Sequence, residues 1–505
     1  MRPPMRLREL LHDVADAGAA GDILVRGLSL DSRSIESGDA FVALSGTRAH
    51  GITFAPAASA RGAAVILAEA PVPATRAPTA AREVHAAAAG QGVPVLWIDG
   101  LRHELGPIAA RFFGEPSRAL HVVGVTGTNG KTSIVQLLAQ ALDGAGRRVA
   151  TIGTLGSGLY GALGEGERTT PDVIRVHRLL DEFRAEGAGD VAMEVSSHAL
   201  VQGRVDAVAF ELAVFTNLTR DHLDYHGTMD AYGAAKQRLF SWPGLAAAVV
   251  NVDDAFGRAL VSTLAPGVAL LRYGTGDHEA EITARGIVAD SSGLAFHLVT
   301  PWGEGAVATR LLGRFNVSNL LAVAACLGQL GIGFAAIRAA LAALSPVPGR
   351  MNRLGGGDSL PLVVIDYAHT PDALEQALTS LRAHCAGELV CVFGCGGERD
   401  AGKRPQMAAI AEALADRVVV TDDNPRGEDG DAIVVDVVAG FARPRRARIE
   451  RDRARAIAHA IGAAQPGDIV LIAGKGHEPY QEIGGVRHPF DDAGVARGVL
   501  ERRAC

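Results

Sequence analysis

The chain has 505 residues, and its 49 Lys and Arg against 56 Asp and Glu give a formal net charge of −7. Apolar residues make up 48% and charged residues 21%, an ordinary globular composition that excludes a disordered, collagen-like or disulfide-stapled chain. The acidic balance argues against general binding to nucleic acid or to an anionic membrane. Five cysteines without a C-x-x-C pair fit a reducing, cytoplasmic compartment.

The first hundred residues predict a small domain of short strands. Apolar segments at 40–44 and 64–67 are separated by turns, and the proline-rich stretch 71–82 predicts a loop. Arginines near the start are not followed by an apolar segment, so we expect no signal peptide. The longest uncharged run, 320–337, is rich in Ala and Gly, and we expect a buried helix pair there rather than a membrane span.

From residue 120 onward, apolar strands alternate with helical segments. Strand 121–125, helix 132–143 and strand 149–152 begin the pattern, which is typical of a parallel sheet covered on both faces. A Pro-Val-Pro-Gly break near 346–350 predicts a boundary, after which strands 362–366, 389–393, 417–421 and 469–473 alternate with helices 373–382 and 404–414. We therefore predict an α/β chain with domains at 1–101, 102–348 and 349–505.

The segment GVTGTNGKTS, 124–133, lies between a predicted strand and a predicted helix. Its glycines allow backbone N–H groups to face phosphate oxygens, and the helix N-terminus adds the positive end of its dipole. Lys131 can reach the β- and γ-phosphates, and the Thr132 hydroxyl can ligate Mg²⁺. Val125 holds the first glycine position of the strict motif, so an incidental glycine-rich turn is the alternative. ATP or a similar nucleoside triphosphate is the predicted ligand.

Acidic and imidazole side chains follow two later strands. Glu194, in MEVSSHAL, is predicted at the carboxyl end of a strand, where a carboxylate suits Mg²⁺. Asp221, His222, Asp224 and His226 crowd into six positions after the next strand, and a surface turn is the alternative. Zinc is disfavoured because no cysteine lies near.

An arginine-rich stretch near the C-terminus, 443–455, has interleaved acids and no aromatic spacing. This pattern favours a solvated loop and helix face over a nucleic-acid surface.

The order of the motifs resembles the Mur ligase family of ATP-dependent amide-forming enzymes. The matching segments are TGTNGKTS, EVSSHAL, NLTRDHLDYHGTMDAYGAAK, GRFNVSN, DYAHTPDAL, FGCGGERDAGKRPQM, DDNPR and GKGHE. The last three resemble the members that add meso-diaminopimelate to UDP-N-acetylmuramoyl-L-alanyl-D-glutamate for peptidoglycan. The resemblance implies an N-terminal uridine-nucleotide domain, a central parallel-sheet P-loop ATPase domain and a C-terminal Rossmann-like domain.

The same resemblance implies a mechanism. The ATP γ-phosphate passes to a substrate carboxylate, and the amine of the incoming amino acid attacks the acyl phosphate. Lys131, Glu194, His222 and Lys236 would be catalytic, with two Mg²⁺ ions bound by Thr132, Glu194, His222 and a carbamylated Lys236. Carbamylation requires the neutral amine, which apolar surroundings favour. The alternative for Lys236 is an ordinary surface lysine on a helix.

The resemblance also assigns three binding sets. The ATP set is Gly127, Thr128, Asn129, Gly130, Lys131, Thr132, Ser133, Asn319, Arg350, Asp366 and His369. The sugar-nucleotide set is Leu30 and Ser32 on the uracil side, Thr47, Arg48 and Ala49 on the diphosphate side, and Thr169, Thr170, Ser196, Gln202 and Arg204 at the muramoyl-peptide end. The diaminopimelate set is Arg399, Asp423, Asn424, Pro425, Arg426, Gly474 and Glu478. The planar fork of Arg426 would read the carboxylate that lysine lacks.

Three alternatives remain open at this point. A lysine-adding Mur ligase differs at the acceptor pocket. A folylpolyglutamate synthase-like ligase shares the phosphate loop but lacks the N-terminal domain and DDNPR. A nucleotide-dependent switch without catalysis would not need the second metal set. We expect a monomer, since nothing in the sequence marks an interface.

Overall fold

The computed structural model describes residues 3–46, 49–70, 92–164, 166, 168–276, 279–357 and 359–503, with residues 82–85 and 504 described by their backbone alone. Two compact units make up the chain. The first consists of Met1–Val135, Gly146–Ala248 and Phe256–Leu270, and the second of Gln136–Ala145, Val249–Ala255 and Leu271–Cys505.

Strands and helices alternate along most of the chain. The strands are β1 (Met5–Arg6), β2 (Leu24–Val25), β3 (Leu28–Ser29), β4 (Ala40–Ala43), β5 (Val65–Glu69), β6 (Arg82–His85), β7 (Pro94–Ile98), β8 (His121–Thr126), β9 (Val149–Gly153), β10 (Gly156–Leu159), β11 (Asp190–Glu194), β12 (Leu212–Phe215), β13 (Ala247–Asn251), β14 (Ala269–Gly274), β15 (Ile282–Asp290), β16 (Gly293–Thr300), β17 (Gly303–Thr309), β18 (Asn352–Gly355), β19 (Leu362–Asp366), β20 (Leu389–Phe393), β21 (Arg417–Val420), β22 (Ala447–Ile449), β23 (Ile469–Ala473), β24 (Tyr480–Ile483) and β25 (Val486–Pro489). The helices are α1 (Leu7–Leu10), α2 (Ala55–Ala60), α3 (Leu101–Phe112), α4 (Lys131–Gly144), α5 (Val173–Ala185), α6 (Ser197–Val201), α7 (Leu223–His226), α8 (Met229–Gln237), α9 (Ala255–Val261), α10 (Phe315–Gln329), α11 (Phe334–Ala343), α12 (Pro371–Arg382), α13 (Lys403–Leu414), α14 (Gly430–Val438), α15 (Arg453–Ala463) and α16 (Asp492–Ala504).

The first unit begins with a sheet in the order β3-β4-β5-β7-β6, parallel except for its antiparallel edge strand β6. Its core includes Leu101 and Leu105 of α3 together with Val173 and Ile174 of α5. Arg178, also on α5, donates from Nη2 to the Leu28 carbonyl at 2.9 Å. The N-terminal sheet therefore packs against a helix of the following region.

A second run of strands in this unit has the order β10-β9-β11-β8-β12. β9, β11, β8 and β12 are parallel, and their residues are almost all buried, as expected for strands covered on both faces. The carboxyl ends of β8, β11 and β12 meet at one edge of the sheet. The loops that follow these strands are the ones that carry the predicted site residues.

The second unit contains a sheet in the order β18-β19-β23-β20-β21-β22, parallel from β19 to β22. Alternate residues of β19 enter two different cores: Val364 packs with α12, α13 and α14, and Val363 and Ile365 pack with α15 and α16. This period-2 division gives the doubly wound arrangement its two covered faces. The same unit contains the antiparallel strands β15–β17 and the hairpin β24–β25.

The predicted α/β class with parallel sheets is confirmed. The strand predictions 362–366, 389–393 and 469–473 match β19, β20 and β23 residue for residue. The uncharged run 320–337 covers most of α10 and the start of α11, and none of the described helices has the length and apolar character needed to cross a membrane. The predicted loop 71–82 lies outside the described residues except for its last position, which begins β6. The sequence analysis missed the β15–β17 meander.

The interpretation of 443–455 as a solvated surface was wrong at Arg453. Its guanidinium and the Asp492 carboxylate are both fully buried, and Nε–Oδ1 and Nη2–Oδ2 are each 2.7 Å. Nη2 also donates to the Ala473 carbonyl at 3.0 Å. Because these residues begin α15 and α16, the ion pair joins two helix N-termini to the end of β23.

Asp492→Ala is expected to destabilise the second unit by about 3–5 kcal/mol, since it leaves the Arg453 guanidinium buried without its counter-ion. Thermal unfolding followed by circular dichroism measures the shift. Glu182→Ala is the control, because Glu182 pairs with Arg175 at 3.5 Å on an exposed surface and such pairs contribute about 0–1 kcal/mol. Equal shifts for the two variants would contradict the buried-pair interpretation.

Candidate active site

The phosphate loop joins β8 to α4 and depends on two glycines in conformations that other residues rarely adopt. Gly127 has φ 145° and Gly130 has φ 87°. A Cβ atom at Gly127 would collide with the Thr216 hydroxyl, so the loop also requires glycine for space. Lys131 begins α4, and its Nζ donates to the carbonyls of Gly127 and Thr128, each at 2.8 Å. The predicted residues 127–133 thus form one continuous loop and helix N-terminus.

The segment after β12 braces this loop. The Asn129 N–H donates to Asn217 Oδ1 at 2.9 Å, and the Thr216 hydroxyl donates to the Asn129 carbonyl at 2.6 Å. The Thr219 N–H donates to Thr128 Oγ1 at 3.0 Å. Asn217 and Thr219 lie in the segment NLTRDHLDYHGTMDAYGAAK, but neither they nor Thr216 were among the predicted site residues. The hydroxyl and amide side chains that alternate directly after β12 were the available indication.

Glu194 is 1% exposed and ends β11. Its Oε2 accepts from the Thr132 hydroxyl at 3.0 Å and from the Thr154 hydroxyl at 3.2 Å, and its Oε1 accepts from the Thr154 N–H at 2.7 Å. A carboxylate and a hydroxyl oxygen converging at the start of α4 form a donor set that fits Mg²⁺. Thr154 was not among the predicted residues.

Lys236 is 1% exposed on α8, so the alternative of an ordinary surface lysine is excluded. Its Nζ donates to the Gly127 carbonyl at 2.8 Å, the same oxygen that Lys131 contacts, and lies 4.3 Å from the Tyr232 ring centroid. Burial, and then the charge of Lys131, lower the pKa of Lys236 well below its ordinary value. The site therefore favours the neutral amine, which is the form that reacts with CO₂.

His222 lies at the end of the loop after β12, with φ 53°, and caps α7. Its ring packs edge-on against His198 at 4.9 Å and lies 6.1 Å from Tyr232, the ring that Lys236 also contacts. Among the described residues, no group of three or more His, Cys, Asp or Glu side chains is arranged to hold a metal. His222 lies in an aromatic cluster with His198 and Tyr232.

A hydrogen-bond network connects Glu194 to the set predicted for the muramoyl-peptide end. The Thr170 hydroxyl donates to the Glu194 carbonyl at 2.8 Å and accepts from the Ser196 N–H at 3.2 Å. Arg204 donates to the Thr170 carbonyl at 2.8 Å and to Gln202 Oε1 at 2.9 Å. The Thr169 and Thr154 hydroxyls lie 3.1 Å apart. The structure thus brings together all five residues of this set: Thr169, Thr170, Ser196, Gln202 and Arg204.

The described residues of the uracil and diphosphate sides lie in loops of the N-terminal sheet. Leu30 and Ser32 follow β3, where Asp31 caps a short turn by accepting from the Arg33 N–H at 2.9 Å. Ala49 follows β4, and its carbonyl accepts from Gly46 N–H at 3.0 Å. β3 and β4 are parallel neighbours, so both loops leave the same edge of the sheet. Thr47 and Arg48 lie outside the described residues.

In the second unit, three of the remaining ATP-set residues, Arg350, Asp366 and His369, lie around the end of β19. Asp366 Oδ2 accepts from the Met351 N–H at 2.8 Å, and burial raises the pKa of this carboxyl. The Arg350 guanidinium lies 4.7 Å from the Tyr367 ring centroid, and His369 Nδ1 donates to the Tyr367 carbonyl at 2.8 Å. Asn319 is on α10, where its amide donates to Asn316 Oδ1 at 2.8 Å.

The diaminopimelate set lies at the ends of β20, β21 and β23 in the same unit. Asn424 donates to Glu478 Oε2 at 2.8 Å, and Arg426 Nη1 donates to the Gly397 carbonyl at 2.8 Å. Asp423 is buried, which raises the pKa of its carboxyl, and Gly474 leaves no room for a side chain beside it. Arg399 is exposed, and Pro425 lies between Asn424 and Arg426.

Lys475 belongs to this cluster although the sequence analysis did not select it. It is fully buried, and its Nζ donates to Asn424 Oδ1 at 3.0 Å and to Glu478 Oε2 at 3.2 Å. The lysine therefore fixes the orientation of both the Asn424 amide and the Glu478 carboxylate. Its position within the quoted segment GKGHE was the available indication.

Comparisons with known proteins agree with this arrangement. Three family models match the chain: the Mur ligase family, catalytic domain over 24–113, the Mur ligase middle domain over 125–327 and the Mur ligase, glutamate ligase domain over 349–476. The chain belongs to the Mur ligase family. The family resemblance predicted from the motifs is confirmed.

Several Mur ligases that share one name are similar in sequence to nearly the whole chain. The UDP-N-acetylmuramoyl-L-alanyl-D-glutamate–2,6-diaminopimelate ligase of Xanthomonas oryzae is 57% identical over 503 residues, covering 99% of this chain and 98% of that protein. The ligase of the same name from Pseudomonas aeruginosa is 51% identical over 497 residues, covering 98% of each. A solved structure of a ligase of this name has a TM-score of 0.74 and 36% identity, covering 99% of this chain and 100% of that one.

The Mur ligase fold extends to more distant proteins. The MurF ligase of Thermotoga maritima in complex with ADP has a TM-score of 0.64 at 19% identity and covers 95% of this chain and 99% of that one. Folylpolyglutamate synthase of Mycobacterium tuberculosis has a TM-score of 0.58 at 20% identity and covers 74% of this chain and 92% of that one. These two likenesses concern the fold alone.

Lys236→Met is expected to raise the thermal midpoint of this Mur ligase at neutral pH in CO₂-depleted buffer. The lowered pKa means that the unfolded chain binds the Lys236 proton more tightly, so the wild type gains stability as pH rises from the folded pKa toward 10.5. The advantage of the variant should therefore shrink with rising pH. Thermal unfolding across a pH series measures it, and an advantage that does not change with pH would contradict the buried-amine interpretation.

Proposed function

We propose that this chain is an ATP-dependent ligase that joins meso-diaminopimelate to the D-glutamate of UDP-N-acetylmuramoyl-L-alanyl-D-glutamate in peptidoglycan precursor synthesis. The observation that carries the proposal is the 51% and 57% identity, over nearly the full chain, to ligases that bear these substrates in their names. The ATP, sugar-nucleotide and diaminopimelate sets support the proposal, because each contains side chains suited to the charge of its substrate.

The phosphate loop would bind ATP through residues 127–133, and the proposed ATP set also contains Asn319, Arg350, Asp366 and His369. ATP and the substrate carboxylate are both anionic, so their approach requires positive charge. Lys131 and the N-terminus of α4 supply it on the protein side. The carboxylate oxygen attacks the γ-phosphorus and ADP leaves, which produces an acyl phosphate.

Thr132 and Glu194 would hold one Mg²⁺, and Glu194, His222 and carbamylated Lys236 would hold a second. When bound, such ions offset phosphate charge and orient the transferred group. The oxygen donors of Thr132 and Glu194 support the first ion. The burial of Lys236 and its lowered pKa support carbamylation, and the adjacent Lys131 ammonium would stabilise the negative carbamate.

The sugar nucleotide would bind through its uracil to Leu30 and Ser32 and through its diphosphate to Thr47, Arg48 and Ala49. Its peptide end would bind to the set joined to Glu194 by the hydrogen bonds of Thr170 and Ser196. Glu194 contacts both this peptide-end set and Thr132 at the start of α4. A peptide bound to the set would therefore have its D-glutamate carboxylate close to the phosphate loop. This placement supports phosphoryl transfer to that carboxylate rather than hydrolysis of ATP alone.

The amino acid would bind through Arg399, Asp423, Asn424, Pro425, Arg426, Gly474 and Glu478. Its amine attacks the acyl carbon and phosphate leaves from the tetrahedral intermediate. Arg426 would pair with the distal carboxylate and Glu478 with the distal ammonium. A site built for a polar group can reject an analogue lacking it by roughly 10⁴–10⁵, because its own buried groups stay unpaired.

We propose the domain boundaries 1–101, 102–348 and 349–505 and a monomeric enzyme. A cytoplasmic location is supported by the cysteine content and by the use of ATP.

Phosphate release from ATP and Mg²⁺ with UDP-N-acetylmuramoyl-L-alanyl-D-glutamate tests the function. We expect release with meso-diaminopimelate, little with L-lysine, and none without an amino acid, with the tripeptide product identified by mass. Release with lysine instead would indicate the lysine-adding alternative. No release with either amino acid would favour the nucleotide switch.

Arg426→Ala is expected to raise the KM for diaminopimelate by about 10- to 100-fold and to reduce its preference over lysine, because a charged hydrogen bond is lost. The KM for ATP should stay within about twofold. Arg417→Ala, which removes a surface pair with Glu388 at 3.6 Å at the start of β21, is the control. Unchanged selectivity in Arg426→Ala would overturn the role of this arginine.

A further inference from the structure

The two arginines proposed for the amino-acid pocket lie on separate loops of the second unit. Arg399 is on the loop after β20, and Arg426 is on the loop after β21. Each loop contains a residue other than glycine in the left-handed region, Glu398 with φ 55° and Arg426 with φ 54°. Such strained conformations persist only where surrounding contacts fix them. The contacts that fix these loops therefore decide where the guanidinium groups point.

Three hydrogen bonds join the two loops. The Gly397 N–H donates to the Asn424 carbonyl at 2.9 Å, and Arg426 Nη1 donates to the Gly397 carbonyl at 2.8 Å. The Glu398 N–H donates to Glu428 Oε2 at 2.9 Å. The last bond is the one in which a carboxylate of the second loop holds the strained residue of the first.

Glu428 is itself held by Arg404 on α13. Arg404 is 2% exposed, and its Nη1 and Nη2 donate to Glu428 Oε1 and Oε2, each at 2.7 Å. This two-bond fork fixes the carboxylate plane as well as its position. The same fork lowers the pKa of Glu428 to about 2, so the carboxylate is ionised at neutral pH.

We propose that Arg404 and Glu428 form a positioning pair that sets the Arg399 and Arg426 loops and thereby determines selectivity for an amino acid with a distal carboxylate. The inference rests on the proposed function of the acceptor pocket. Neither residue of the pair is assigned to the substrate. The pair acts through the hydrogen bond from the Glu398 N–H to Glu428, which ties the loop after β20 to the loop after β21.

A second acidic partner of Arg404 makes the inference testable. Asp436 on α14 accepts from Arg404 Nη1 at 2.8 Å, so it shares the stabilising contact of Glu428. Unlike Glu428, it has no hydrogen bond to either loop among the described contacts. Removing one charge or the other therefore separates positioning of the loops from simple stabilisation of the helix.

Glu428→Gln and Asp436→Asn are the matched variants. The amide that replaces the Glu428 carboxylate would face two sets of donors, the Arg404 guanidinium and the Glu398 N–H, with a single acceptor oxygen, so at least one donor loses its partner. We expect Glu428→Gln to raise the KM for diaminopimelate by about 10- to 100-fold and to narrow its preference over lysine, with the KM for ATP within about twofold. Asp436→Asn should leave the KM for diaminopimelate, the preference over lysine and the KM for ATP within about twofold of the wild type.

Arg404→Lys is the second test, because a lysine keeps the charge but cannot form two parallel bonds. It should reproduce the Glu428→Gln phenotype while its unfolding midpoint shows that the chain is folded. Equal effects of Glu428→Gln and Asp436→Asn, or a parallel rise in the KM for ATP, would overturn the positioning role. Wild-type turnover with diaminopimelate separates the two hypotheses. If the wild type does not turn over diaminopimelate, the proposed function is overturned. If it does, and Glu428→Gln has the wild-type KM and selectivity, this inference is overturned.

Discussion

The contact of two lysine side chains with one carbonyl oxygen is the constraint on which the phosphate-loop region of the first unit depends. Lys131 and Lys236 both place Nζ at 2.8 Å from the Gly127 carbonyl. Burial penalises the charge of Lys236 most, and repulsion by the nearby Lys131 ammonium adds to that penalty. The arrangement becomes favourable when negative charge enters the loop or when Lys236 is neutral. A site for triphosphate chemistry needs such a charge imbalance, and the glycine conformation at 127 makes it possible.

Glu194 extends that constraint from the nucleotide to the substrate. Its side chain contacts Thr132 and Thr154, and its backbone carbonyl accepts from Thr170. A single buried strand end therefore orients both the oxygens proposed to bind Mg²⁺ and the residues proposed for the peptide end. Because the carboxylate and the carbonyl belong to one residue, a shift of β11 would move both sites together. The proposed metal site and the proposed peptide site are therefore held at a fixed distance from each other.

The parts of this structure that could be predicted are those set by local patterns. Continuous apolar runs identified β19, β20 and β23, because strands buried on both faces show no alternation. The glycine loop and the strand-end acids followed from the chemistry of phosphate and magnesium. Long-range pairing is not encoded in any local window, so the Arg453–Asp492 pair was hidden in an arginine-rich segment that has a solvated pattern. Lys475 was missed for the same reason, since Asn424 lies far from it along the chain.

Charged side chains in the second unit show what an ion pair can do that apolar side chains cannot. Replacing an ion pair by apolar side chains often leaves stability unchanged or raised, so stability alone does not explain a pair like Arg404 and Glu428. What an apolar pair cannot do is to accept the Glu398 N–H and hold a left-handed residue in place. Lys475 supplies the same kind of constraint to Asn424 and Glu478 through directed hydrogen bonds. Selectivity for a charged amino acid then depends on side chains whose directions are fixed before it binds, because a loosely held guanidinium would pair with water as readily as with a substrate carboxylate.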